Sequence, residues 1–473
     1  MMSHLYPTVL LCAYGFFSNL RPLEPFLTAF LLGPDKNLTE KEVVNEIYPI
    51  WTYSYLVLLF PVFLATDYLC YKPVLVLQAA SLVVTYAMLW KAQGKLAMQF
   101  LEFFFGLATA SDVAYYSYIY SVVDPAQYQR MTGFCRSATL FGSAAGCLIG
   151  QLLLSVAKAE LLHLVFITLA SAAVAFVAPW FLPMPKRSLF FHKSLGVASD
   201  EQRRSSKSSL EKLEDAEVKA PLNTKSSSVS RSSEAADQNV GLVRVLKILF
   251  EDFVQCYKCR PLLAWSLWWA LATCGYFQII NYAQPLWETV RPSQDYEIYN
   301  GYVELLSTLL GALAALLVGC LPVSWSVWGE LLLCVLSLLM AVCVFVMNML
   351  KNIWVCYSCY VLFRTTYMLL ITVATYQIAA SLSVQRYALV FGVNTFVALL
   401  LQSLLTLVVV DSAGLGLDIF PQFIVYGVYF AVIAGIFFLA WSYKLASRRR
   451  SEQEVQMNGA APPEADRPPD TPI

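Results

Sequence analysis

Charge is what this sequence has least of. Lys, Arg, Asp and Glu make up 14% of its 473 residues against 58% hydrophobic ones, too small a polar share to cover a water-soluble globule of that size. A soluble fold is excluded, and a bilayer takes the place of water as the solvent. An excess of either sign is missing too: 32 basic residues balance 32 acidic ones, so no global field draws the chain to nucleic acid or to anionic lipid. Histidine is scarcer still. The three present, His4, His163 and His192, lie near the ends of apolar runs or in a polar stretch. No Ser/His/Asp or His/carboxylate set is arranged for hydrolysis, so an enzyme is not expected. No Gly-rich phosphate loop is found, which argues against a pump driven directly by a nucleotide.

Cysteine occurs 12 times, mostly inside apolar runs (Cys12, Cys147, Cys274, Cys334, Cys343), where it behaves as a small hydrophobe. Two CxxC pairs, Cys256/Cys259 and Cys356/Cys359, are far apart and have no histidines nearby. The sequence therefore predicts no metal site and no cofactor.

What the chain has in quantity is apolar length. Runs near or above the roughly 20 residues a bilayer requires fall at about 7–31, 48–69, 74–92, 96–123, 128–156 and 161–183, then at 262–288, 298–321, 325–349, 352–379, 387–410 and 419–443. The pattern predicts an all-α membrane protein of about 12 spans, six and six. Between the sets, 186–238 is rich in Ser, Lys, Arg and Glu with no apolar period, a composition that stays disordered. The predicted organisation is an N-terminal six-helix half (1–185), a disordered cytoplasmic loop (186–242), a C-terminal half (243–446) and a disordered tail (447–473). The C-terminal half begins with a short helix over 243–257, lying on the membrane surface or starting a long span.

The central loop, Arg130, Arg386 and Arg448-Arg449-Arg450 fall on one side of the membrane, which places both termini in the cytoplasm. The sequon Asn37-Leu38-Thr39 then lies outside, where a glycan on Asn37 is expected. Two six-span halves joined by a long cytoplasmic loop are the topology of major facilitator carriers, whose halves enclose a central cavity and rock in alternating access.

Ionisable groups within spans cost several kcal/mol, about 2.5–3.5 on insertion scales, and are site candidates for that reason. Glu24 sits between Pro22 and Pro25 at a predicted kink; it binds a cation or pairs with Arg21, three residues away on the same face. Asp112 precedes Tyr115 and Tyr116 at helical spacing, a carboxylate beside π-faces that suits a flat organic cation; the alternative is a structural aspartate paired with Arg136. Trp51, Tyr53 and Tyr55 read first as an interfacial belt. Asn281 and Tyr282 bring polar groups into the seventh span. Glu304 adds a carboxylate in the eighth, and Arg364, beside Tyr367 in the tenth, requires an acidic partner. With Gln402 in place of a base in the eleventh, the interior is acidic and aromatic and predicts a carrier of a monovalent aromatic cation.

Specific stretches narrow this further: Gly33-Pro34-Asp35-Lys36-Asn37-Leu38-Thr39, Trp51-Thr52-Tyr53-Ser54-Tyr55-Leu56, Ala114-Tyr115-Tyr116-Ser117-Tyr118-Ile119-Tyr120-Ser121, Ser188-Leu189-Phe190-Phe191-His192 and Ala388-Leu389-Val390-Phe391-Gly392-Val393-Asn394-Thr395. Through them the chain resembles the solute carrier family that contains the reduced folate carrier and the thiamine transporters, over every predicted helix. The resemblance implies thiamine as substrate and the plasma membrane as location. It implies that Glu24, Tyr48, Trp51, Asp112, Tyr115 and Asn281 line the site, with Trp51 stacking on the ligand. It also implies that the Asp112 position is acidic in thiamine carriers and basic in the folate carrier, and that Gln402 replaces a folate-carrier lysine. Pyridoxine is a second candidate cation and a proton the candidate coupling ion. The alternatives are a folate or other organic-anion carrier and a non-transporting receptor with a transporter fold. Two positions depart from the family pattern: Asp112 is one methylene shorter than the usual glutamate, and Cys70 stands for a basic residue in the Thr66-Asp67-Tyr68-Leu69-Cys70-Tyr71-Lys72 turn.

Overall fold

The computed structural model describes residues 2–122, 128–184, 260–320, 325–380 and 384–457. The central loop and the proposed surface helix at 243–257 lie outside these residues. Fourteen helices build the described chain. In the first half they are α1 (Met2–Asn19), α2 (Leu27–Leu32), α3 (Tyr48–Tyr68), α4 (Lys72–Lys91), α5 (Lys95–Ala110), α6 (Asp112–Val122), α7 (Tyr128–Ser155) and α8 (Leu161–Phe181). The second half comprises α9 (Arg260–Val290), α10 (Asn300–Cys320), α11 (Trp325–Leu350), α12 (Ile353–Ala380), α13 (Val384–Leu405) and α14 (Ile419–Met457).

Eleven helices among the described residues are long and apolar enough to cross a membrane. The twelfth expected span, 7–31, is discontinuous. Helix α1 stops at Asn19, a 3-10 turn covers Glu24–Phe26, and α2 resumes at Leu27. The cause is the one the prolines announce: neither Pro22 nor Pro25 donates an amide hydrogen bond, and each excludes α geometry before it. The span expected at 96–123 is also broken, at Ser111, between α5 and α6. Helix α14 runs on through Met457, into the tail that composition marks as disordered; the Arg, Glu and Gln residues there are good helix formers.

Close helix approach explains the first half. Gly142, Gly146 and Gly150 recur every fourth residue on α7 and face span one: a Cβ at Gly146 would stand 2.7 Å from the Arg21 backbone nitrogen, and one at Gly150 2.4 Å from the Pro22 carbonyl oxygen. Absent side chains let the two backbones meet, the usual small-residue solution inside a membrane. Helix α1 packs on α7 and α8, α5 on α3 and α4; in the second half α11 packs on α12 and α14, and α9 on α13 and α12.

The halves join through α3 with α13 and α7 with α10. Their hydrogen bonds gather at the end of the bundle that carries Asn37. There the Tyr53 hydroxyl donates to Asp411 Oδ2 at 2.7 Å, Gln151 Nε2 to the Ile298 carbonyl at 2.9 Å, and the Asn45 amide to the Val410 and Leu417 carbonyls. Lys158 pairs with Glu297 across the same seam and, with the Tyr299 hydroxyl, holds that carboxyl below the usual range. Both partners are exposed, so the pair adds little.

Candidate functional site

The break in span one aims its residues at the second, fourth and seventh spans. Arg21 turns back onto α1 through Nε to the Ser18 carbonyl at 2.7 Å, lies 5.4 Å over the Phe105 ring and stands 3.5 Å from the Glu24 carboxylate. The Arg21/Glu24 pairing read from sequence is thus present. Yet the Glu24 side chain remains 49% exposed, which leaves a carboxylate free to meet a second cation.

Opposite it, the Tyr48 and Thr28 hydroxyls share a 2.7 Å hydrogen bond, and the Tyr48 ring lies 6.3 Å from that of Tyr282. Trp51 is half-buried. Its indole N–H donates to Thr109 Oγ1 at 3.2 Å, and its ring packs against Tyr55 at 5.8 Å and Phe277 at 6.4 Å. Asn281 follows Phe277 by one helical turn, half-exposed and without a hydrogen-bond partner among the described residues. Tyr48 and Trp51 of span two thus meet span seven at Tyr282 and Phe277, on either side of Asn281 in the sequence.

Asp112 lies in electrostatic reach of Arg21, Glu24 and Tyr55, the last packed on Trp51. Asp112 opens α6 beyond the break at Ser111, exposed in the bundle, and accepts a hydrogen bond from the Gln78 amide; Gln78 in turn accepts from the Tyr14 hydroxyl at 2.6 Å. The alternative partner, Arg136, lies instead over the Tyr116 ring at 5.9 Å. Tyr115 is 3% exposed, wedged between α1 and α7 with its hydroxyl donating to the Cys135 carbonyl at 3.2 Å. Its ring packs on those of Tyr14 and Tyr116 at 5.7 and 5.0 Å.

Glu304 and Arg364 find each other. The guanidinium binds the carboxylate, donates to Ser307 Oγ at 3.0 Å and to the Tyr276 hydroxyl at 3.3 Å, while the Tyr360 hydroxyl donates to Glu304 Oε1 at 2.6 Å. Tyr276 stacks on Tyr367 at 3.8 Å, and Tyr367 is tied to Thr273 at 3.0 Å. This cluster is internally neutral.

One residue escapes the sequence reading. Glu102, in α5, is 5% exposed and has no hydrogen-bond or ion-pair partner among the described residues. It lies in electrostatic reach of Tyr48, Tyr86 and Tyr282, and Gly106, four residues on, abuts Ser54 and the Trp51 backbone. The signal available in sequence was an acid inside the run Phe100-Leu101-Glu102-Phe103-Phe104-Phe105. Formally, three carboxylates (Glu24, Glu102, Asp112) stand against two guanidiniums, Arg21 and the exposed Arg136 over Tyr116, while the Glu304/Arg364 pair cancels. The interior is acidic, and Gln402, buried with its amide 3.5 Å from Thr52 Oγ1, adds no positive charge.

Comparison with known proteins agrees with this architecture. Residues 2–425 match the family described as reduced folate carrier. The chain is 56% identical to human thiamine transporter 1 over 95% of its length and 92% of the relative's. It is 49% identical to human thiamine transporter 2 (96% and 93% covered) and 40% identical to the human reduced folate transporter (91% and 71%). Among solved structures, the nucleoside transporter NupG superposes with a TM-score of 0.58 at 11% identity, covering 92% of this chain and 99% of that one. A POT family transporter superposes with a TM-score of 0.61 at 11% identity (92% and 96%). At that identity the likeness is one of fold, an all-helical bundle of major facilitator type.

Proposed function

The chain belongs to the reduced folate carrier family, a family of carriers and not of enzymes, and on that premise we propose that it imports thiamine by alternating access. The observation that carries this reading is the acidic, aromatic interior: Glu102 lies in electrostatic reach of Tyr48, Asp112 in reach of Tyr55, whose ring packs on Trp51, and the Glu24 side chain stays half-exposed beside Arg21. A flat heteroaromatic cation gains there both charge neutralisation and stacking. Asp112, backed by Gln78 and Tyr115, is the acidic station on the far side of the helix break. The two thiamine transporters among the relatives support the same substrate, and pyridoxine is a second cation of suitable size and shape.

Glu102, a buried carboxylate with no partner, supports a proton as coupling ion, because protonation removes the cost of burying its charge. The positive residues of the loop and tail support a cytoplasmic location for both termini. The Asn37 end then faces outward at the plasma membrane and carries a glycan on Asn37, which is exposed. The folate-carrier reading is disfavoured by the same geometry: Arg364 is consumed by Glu304, and no other free cation replaces it among the residues described at the site.

The test is ligand-induced stabilisation of the purified full chain. Thiamine raising its melting temperature while a reduced folate does not supports the reading. Stabilisation by folate alone overturns it.

A further inference from the structure

The backbone of the broken first span is completed from the other half of the molecule. An uninterrupted helix would join the Thr28 amide to the Glu24 carbonyl. Here the Gln284 side chain of α9 spans those same two groups, its Oε1 accepting from Thr28 N at 3.3 Å and its Nε2 donating to Glu24 O at 2.9 Å. One residue on, Asn300 of α10 donates through Nδ2 to the Pro25 carbonyl at 3.0 Å, and its own carbonyl is fixed by the Tyr357 hydroxyl at 2.8 Å. Asn300 is 4% exposed, so its hold is dry. Backbone groups freed by a helix break within a membrane must find partners or water; these find them on the opposite half, one turn from Asn281.

We propose that Gln284 and Asn300 are positioning residues: by completing the span-one backbone across the seam, they couple the placement of the Glu24 carboxylate to closure of the Asn37 end. When the halves are together, Glu24 is held in one place by its own carbonyl and that of its neighbour. When the halves part, all three bonds break together and the turn is released to water. A cation bound at Glu24 and Asn281 straddles the same joint and favours the closed arrangement. This last step rests on the thiamine reading; the backbone joint itself does not.

The test uses hydrogen–deuterium exchange of the purified full chain in lipid nanodiscs, without substrate, on Gln284→Ala, Asn300→Ala and Gln284→Glu. The last keeps the acceptor for Thr28 and loses the donor to Glu24. Each lost bond is expected to raise exchange about three- to tenfold, both in peptides over 22–32 and in peptides over 406–418. The second set touches neither Gln284 nor Asn300 in the bonds described and reports closure of the seam as a whole. Gln284→Glu falls between wild type and Gln284→Ala. In cells the alanine variants lower the maximal rate of thiamine uptake, and their KM does not fall. A rise confined to 22–32, wild-type exchange throughout, or a maximal rate equal to wild type overturns the coupling. If Gln284→Ala does not fold, Asn300→Ala and Gln284→Glu decide by the same criteria. Because the exchange readout needs no substrate, a wrong substrate leaves it intact.

Discussion

Gln78 donates its side-chain amide to the Asp112 carboxylate while accepting from the Tyr14 hydroxyl. The three residues come from α4, α6 and α1, so the orientation of an acid at the centre of the bundle depends on the packing of three helices. Charge-assisted bonds of this kind are worth about 1.5–3 kcal/mol. Asp112→Asn is expected to cut thiamine uptake at least about tenfold at normal surface expression, and Gln78→Leu to cut it less, because the charge survives and only its orientation is lost. Radiolabelled uptake normalised to surface-biotinylated protein decides this. Unchanged uptake in Asp112→Asn removes the residue from the transport path.

Trp51 has one polar tie, to Thr109, and otherwise presents its ring between Tyr55 and Phe277. If it stacks on the ligand, Trp51→Ala raises the KM for thiamine about tenfold, on the order of 1–2 kcal/mol of lost stacking and cation–π attraction. Trp51→Phe recovers part of the loss. Concentration-dependent uptake separates this from Thr109→Ala, which removes only the indole's anchor and is expected to shift KM about threefold or less.

The Glu304/Arg364 pair is mostly buried, with side chains 17% and 19% exposed. Removing one partner strands the other's charge, a loss of about 3–5 kcal/mol in such settings. Glu304→Gln and Arg364→Gln are each expected to lower the melting temperature by several degrees, and the double substitution by less than the sum of the two. Thermal unfolding of the four proteins in detergent checks this; additive losses show that the pair is not coupled.

Gly146 leaves no room for a side chain against Arg21. Gly146→Ala forces α7 and span one apart, at an expected cost of about 1–3 kcal/mol, and displaces the turn that carries Glu24. The expected result is reduced stability together with a higher KM for thiamine, read by thermal unfolding and uptake. Gly133, which has no atom within reach of an added Cβ, is the matched control, and its alanine variant behaves as wild type in both assays.

The division into two six-span halves was legible because apolar length is a one-dimensional signal, and so was the break at Pro22 and Pro25. Arg364's need for an acidic partner was legible; the identity of that partner, Glu304 on another helix, became plain only with the packing of α10 on α12. Glu102 was as visible as Asp112, an acid in an apolar run, but nothing in the sequence marks Ser111 as a helix break. That break sets Asp112 at the start of a new helix and leaves Glu102 on the segment that packs against Trp51. Tyr115 illustrates the converse: an aromatic at helical spacing from an acid faces the packing between helices as readily as the site. The Gly142/Gly146/Gly150 spacing was on the page from the start, and its meaning depended on knowing which backbone lay opposite.

The central claim is that the acidic interior carries a cationic vitamin. Its most direct measurement is the uptake of radiolabelled thiamine and of a radiolabelled reduced folate, side by side, in cells expressing this chain, with Glu102→Gln as the companion variant. The account predicts saturable thiamine uptake that falls at least about tenfold in Glu102→Gln, and no folate uptake above background. Saturable folate uptake without thiamine uptake would contradict it.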